Sequence, residues 1–195
     1  MNENYSLKEV DIMKVKNILI NLLNKQFNNE INKEEEQFIN DMIKIYPDIV
    51  KEIDLGPERI FELIEKNEQL SFNILVNLSQ RPYFCDYISL FIKRKWSINS
   101  LKIMNRLFQI FEFPDGYINC YIAHCFSELK KENNKTNKIR MSKIFSFFLC
   151  NLLDYGHITV DSIPPSINEF FKDNFKDPDI LLLKEKMEKC RKEHP

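Results

Sequence analysis

Met141, Ile144, Phe145, Phe148, Leu149 and Leu152 recur at i, i+3, i+4, i+7, i+8 and i+11, and this spacing limits what the chain can become more than any other feature. Each residue of an α-helix turns about 100° around the axis, so all of these side chains fall on one stripe; a β-strand would scatter them over both faces. The stripe predicts a helix with a buried face. The same periodicity runs through most of the chain. Val10, Met13, Ile18, Leu22 and Leu23 mark a first helix from Ser6 to Lys25, Phe38, Ile39, Met42 and Ile43 a second, and Ile98, Leu101, Met104, Phe108 and Phe111 a later one.

What separates these stretches is the chemistry of helix ends rather than of hairpins. Asn32 precedes Glu34, Glu35 and Glu36, an amide cap followed by carboxylates that favour the positive end of a helix, and Pro47 closes that segment. Pro57 after Gly56 is expected at the first position of a helix ending near Asn67, where its missing N–H costs nothing; Pro114 and Pro178 are read the same way. Arg81-Pro82 divides Phe72–Leu78 from Tyr83–Ile92, Ser97 caps the next helix, Gly156 stops the best stripe, and Pro164-Pro165 marks a connector. Lys130 to Lys138 reads as a lysine-rich loop. No alternation of strand period and no repeat of solenoid period stands out. The expectation is an all-α fold, a compact bundle of about seven to nine helices. Residues 1–29 are expected to form a loosely attached N-terminal helix, ahead of a helical domain over 30–192.

Composition excludes several functions. With 28 basic and 29 acidic residues the formal net charge is -1, so no global field draws the chain to nucleic acid or to an anionic membrane. The 3 glycines stand far apart, and no phosphate cradle can be built from them. The 5 cysteines, Cys85, Cys120, Cys125, Cys150 and Cys190, are odd in number and never spaced C-x-x-C, which speaks against a disulfide framework and a zinc knuckle and for a reducing compartment. Neither a signal peptide nor an apolar run of about 18 residues is present, so a soluble cytoplasmic or nuclear location is expected, without membrane contact.

Several stretches, in order, resemble one family. They are Tyr46-Pro47-Asp48-Ile49-Val50, Ile53-Asp54-Leu55-Gly56-Pro57-Glu58, Leu63 to Asn67, Asp86 to Phe91, Asn105-Arg106-Leu107, and Phe113-Pro114-Asp115-Gly116-Tyr117 through Cys125. From Glu34 to Met187 the chain is similar to the C-terminal domain of subunit eleven of the CCR-NOT mRNA deadenylase complex. The resemblance implies a non-catalytic adaptor in deadenylation and mRNA decay, working with subunit ten, the large Not scaffold and a recruited regulatory protein. Family members are longer, with an upstream half that this chain lacks, so recruitment is implied more directly than scaffold docking.

Some residues invite sharper readings. Cys120 and His124 share a helix face at i, i+4, as a metal clamp would, but His157 and His194 have no ligand spacing to them; a packed cysteine beside a satisfied histidine is the plainer reading, and no metal or cofactor is expected. Glu34, Glu35 and Glu36 point in different directions on a helix and cannot hold two metal ions for poly(A) hydrolysis, and no hydrolase signature is present, so no enzyme is expected. Lys93-Arg94-Lys95-Trp96 joins cations to the single tryptophan. RNA could use that combination through phosphate contact and stacking, and a protein partner could use Arg94 and Trp96 as a hot spot; cations closing a helix C-terminus beside a buried tryptophan are the structural alternative. Tyr83 and Phe84, expected to join Arg94 and Trp96 in a protein-binding surface, and Tyr117 and Tyr121 are divided in the same way between core and groove.

Overall fold

The computed structural model describes residues 3–28, 30–53, 55–167 and 178–193. All regular structure among them is helical, with nine helices of at least seven residues and no strand. The chain divides into two compact units, Met1–Leu90 and Phe91–Pro195.

In the first unit, α1 (Glu3–Phe27) packs on α2 (Lys33–Ile45), on the single turn α3 (Ile49–Glu52) and on α4 (Pro57–Lys66), while α5 (Glu68–Leu78) packs on α2, α3 and α4. The core is aliphatic: Leu19, Leu23, Ile39, Ile43, Leu63, Ile64, Leu70 and Ile74 are all buried. Asn32 caps α2 as its sequence promises, its Oδ1 accepting from the Glu35 N–H at 2.9 Å and the Glu35 carboxylate accepting from the Asn32 N–H at 3.1 Å. Lys25 donates to the same carboxylate at 2.6 Å, which joins α1 to α2. The Lys25 hydrogen bond, followed by the Asn32 N–H, holds the Glu35 carboxyl below its ordinary pKa. Lys66 reaches the Phe27 carbonyl, and the Arg59 guanidinium lies 4.3 Å from the centre of the Phe27 ring. These contacts tie the C-terminal part of α1 to α2 and α4.

Polar order in this unit centres on Asn67. Its N–H closes α4 on the Leu63 carbonyl at 2.7 Å, and its Oδ1 opens α5 by accepting from the Leu70 N–H at 2.9 Å. Its Nδ2 donates to Glu36 on α2 at 2.7 Å and to Gln26 on α1 at 3.5 Å. A second amide link runs from Asn73 Nδ2 on α5 to Asn40 Oδ1 on α2, 2.9 Å long.

The helix α6 (Phe84–Lys93) crosses the division between the units. In the second unit α9 (Lys135–Asp154) is the central helix, with α7 (Ile98–Ile110), α8 (Tyr117–Lys131) and α10 (Pro178–Glu193) each packed on it; a 3-10 turn, Val160–Ser162, meets α10. Ser97 caps α7 with Ser100, as expected. Phe145, Phe148, Leu149 and Leu152 are buried, while Met141 and Ile144 are half-buried at the margin of the stripe. An aromatic cluster fills the interior. Phe108 meets Phe113 edge-on at 4.7 Å, Tyr121 at 6.0 Å and Phe148 at 6.2 Å, and Phe145 joins Phe148 to Trp96 at 6.4 Å on each side. Gly156, at φ 70, turns the chain out of α9: its N–H bonds to Leu153 at 3.1 Å and that of His157 to Leu152 at 2.9 Å, the paired reverse bonds that close a helix through a left-handed residue.

Two expectations fail here. Pro114 is not the first residue of α8; it sits in the turn before it, its carbonyl accepting from the Tyr117 N–H at 3.0 Å, and the helix starts from Gly116, whose φ of 77 suits glycine. The lysine-rich loop is mostly helix, because α8 runs to Lys131 and Asn134 caps α9 by accepting from the Asn137 N–H at 3.0 Å. The side chains of Val10, Cys190 and His194 lie outside the described residues.

Candidate functional site

The expected site residues fall in different units and in different environments. Tyr83 and Phe84 belong to the first unit, Lys93, Arg94, Lys95 and Trp96 to the second. Trp96 is 3 % exposed, its ring packed beside Phe145 and its indole N–H donating to the Cys125 carbonyl at 2.9 Å. A ring held this way serves the core, and neither a base nor a partner side chain can stack on it; the structural reading of this tryptophan is the one realised. Lys93, Arg94 and Lys95 are exposed around it. Lys95 reaches Glu132 at 3.5 Å. The cations end α6, where its negative dipole end favours them.

His124 is engaged by backbone. Its Nε2 lies 2.7 Å from the Arg94 carbonyl oxygen, which can only accept, so that nitrogen carries a proton and is not available as a metal ligand. Cys120, expected to be packed, is exposed; the packed thiol of α8 is Cys125, which burial pushes far above its ordinary pKa. Such a thiol stays protonated and is no nucleophile. Tyr121, fully buried, is raised well above its usual pKa for the same reason. Of the acidic run, Glu35 serves the α2 cap and Glu36 receives Asn67. Among the described residues no group of three or more His, Cys, Asp or Glu side chains gathers around one point. None of the described helices is long and apolar enough to cross a membrane.

A cleft of about 440 Å³ lies in the first unit, lined by Lys51, Ile53, Gly56, Pro57, Leu78, Tyr83, Asp86 and Tyr87. Local chemistry builds it. Pro57 starts α4 and Gly56 just before it has no side chain; an added Cβ there would meet nothing within 4 Å. Leu78 ends α5, and the turn through Arg81-Pro82 brings Tyr83, Asp86 and Tyr87 to the start of α6. Tyr87 donates its hydroxyl to the Leu55 carbonyl at 2.7 Å, which fixes its ring, and the Tyr83 ring stands 6.1 Å away at 43°, with Tyr83 still 42 % exposed. Lys51 is paired with Asp48. Sequence reading singled out Tyr83 alone from this lining. Gly56-Pro57 and Asp86-Tyr87 stood in the stretches that carried the family resemblance, yet nothing in their spacing places them together.

A family model described as CCR4-NOT transcription complex subunit 11 matches residues 64–177, more than half of the chain, a range that takes in Tyr83, Asp86 and Tyr87 of the cleft and all of α7, α8 and α9.

Proposed function

The chain belongs to the CCR4-NOT transcription complex subunit 11 family, and from that premise we propose that it is a non-catalytic adaptor in mRNA deadenylation. The match over residues 64–177 carries the proposal. It acts by binding: one surface joins it to other subunits of the complex, among them subunit ten and the large Not scaffold, and another holds a recruited regulatory protein, in the cytoplasm and also in the nucleus. The chemistry of the side chains supports this reading. Cys125 is buried and protonated, His124 is committed to the Arg94 carbonyl, Glu35 closes the α2 cap and Glu36 receives the Asn67 amide, so these four groups have structural work.

A second reading, RNA contact, draws on the exposure of Lys93, Arg94 and Lys95. With Trp96 in the core, such contact would rest on phosphate charge alone, and a poly(A) titration would then weaken steeply between low and high salt.

The adaptor reading is tested by tagging the full chain in its own cells and incubating the purified chain with poly(A). Subunits of the complex are expected to co-purify, and poly(A) to remain intact. Absence of those subunits overturns the assembly role, and poly(A) shortening by the purified chain overturns the non-catalytic one.

A further inference from the structure

We propose that the cleft beside Tyr83 receives an extended, proline-containing segment of a partner protein, with an arginine or lysine next to the proline. This rests on the adaptor reading and names the chemistry of the partner it would hold. Shape comes first. The Tyr83 and Tyr87 rings, 6.1 Å apart and inclined at 43°, line the cleft together with Pro57, and Gly56 adds a stretch of wall without a side chain. Tyr87 cannot swing away because its hydroxyl is tied to Leu55. Aromatic walls of this kind accept polyproline-type segments, whose flat rings fit between aromatic faces and whose backbone, already extended and free of internal hydrogen bonds, loses little entropy on docking. A cleft of about 440 Å³ accommodates a few side chains, and a whole helix does not fit in it.

Charge then selects the neighbour of the proline. Lys51 is neutralised by Asp48, so the lining charge left without an offset of that kind is the exposed carboxylate of Asp86. Asp86 lies in the first turn of α6, at the positive end of the helix dipole. A cation of the partner answers it. A phosphate backbone would meet repulsion at the same place, which favours protein over RNA as the occupant.

The test is a fluorescence-anisotropy titration of the full chain with a short fluorescein-labelled peptide that repeats proline every third residue and ends in arginine beside the last proline. Binding is expected, and replacing the arginine by glutamate should weaken it about ten-fold. Tyr83→Ala should weaken it by a similar factor, about ten-fold, as loss of an aromatic anchor does. Asp86→Lys, an exposed position whose variant keeps the fold, should reverse the preference so that the glutamate peptide binds better. Absence of binding, an Asp86→Lys variant with the parent's preference, or displacement of the peptide by poly(A) RNA would each overturn the proposal. A failed titration with co-purification of the complex intact overturns the cleft alone, and lost co-purification overturns the adaptor reading itself.

Discussion

The two units reach stability by different means. The first has an aliphatic core whose helices are held in register by amides, with Asn67 serving two helix ends and two neighbouring helices at once, and Asn40 and Asn73 linking α2 to α5. The second adds to its aliphatic residues a chain of rings, Phe108, Tyr121, Phe148, Phe145 and Trp96, in contact one with the next. Aliphatic side chains pack without direction, so polar bonds must choose among similar arrangements of the helices. Aromatic rings prefer tilted and edge-on contacts, so packing itself makes the choice. The unit ordered by directional polar bonds is also the one that contains the cleft, where Tyr83 remains half out of the core.

Substitutions can break this comparison. Phe148→Ala should have the largest effect, about 3 to 5 kcal/mol in denaturant unfolding, because it opens a cavity at the middle of the aromatic cluster; a loss below about 1 kcal/mol would mean that the cluster does not organise its unit. Asn67→Ala should cost about 2 kcal/mol, from a lost helix cap that leaves the Leu70 N–H donor unmet together with the unmet Glu36 acceptor. Hydrogen exchange sharpens the contrast: Asn67→Ala should loosen amides of α4 and α5, Phe148→Ala those of α7, α8 and α9, and identical patterns from the two variants would erase the distinction.

Gly156→Ala should cost about 1 kcal/mol, through the left-handed φ of 70 rather than through crowding, since a Cβ there meets nothing within 4 Å. Thermal melting measures it, and an unchanged melting temperature would show that the end of α9 relaxes freely. The smallest effect concerns acid. The folded Glu35 carboxyl lies below its ordinary value of 4.5, so its contribution is present above that pH and fades as pH falls through the folded pKa. Glu35→Gln should therefore narrow the stability difference between neutral and acidic solution, and an unaltered pH profile would show that the Lys25 contact is too well solvated to matter.

Much of this architecture was legible because it is local. Caps at Asn32 and Ser97, the proline start at Pro57 and the stop at Gly156 each depend on residues within a turn or two. The misses are of two kinds. Pro114 and the Lys130–Lys138 segment were misjudged because proline also suits a turn ahead of a helix, and because a charged stretch with Asn134 inside it looks like a loop until that asparagine is seen capping. Asn67, Trp96 and the cleft were hidden by distance along the chain. The partners of Asn67 lie 31 and 41 residues away, and the carbonyl that receives Trp96 lies 29 away. The division after Leu90 left no mark either, since α6 runs unbroken through it.

The claim that this chain acts by recruitment is tested most directly by tethering it to a reporter mRNA and measuring poly(A) tail length in cells that contain the deadenylase and in cells depleted of it. The account predicts a shortened tail in the first and an unchanged tail in the second. A tail that shortens equally in both, or in neither, contradicts it.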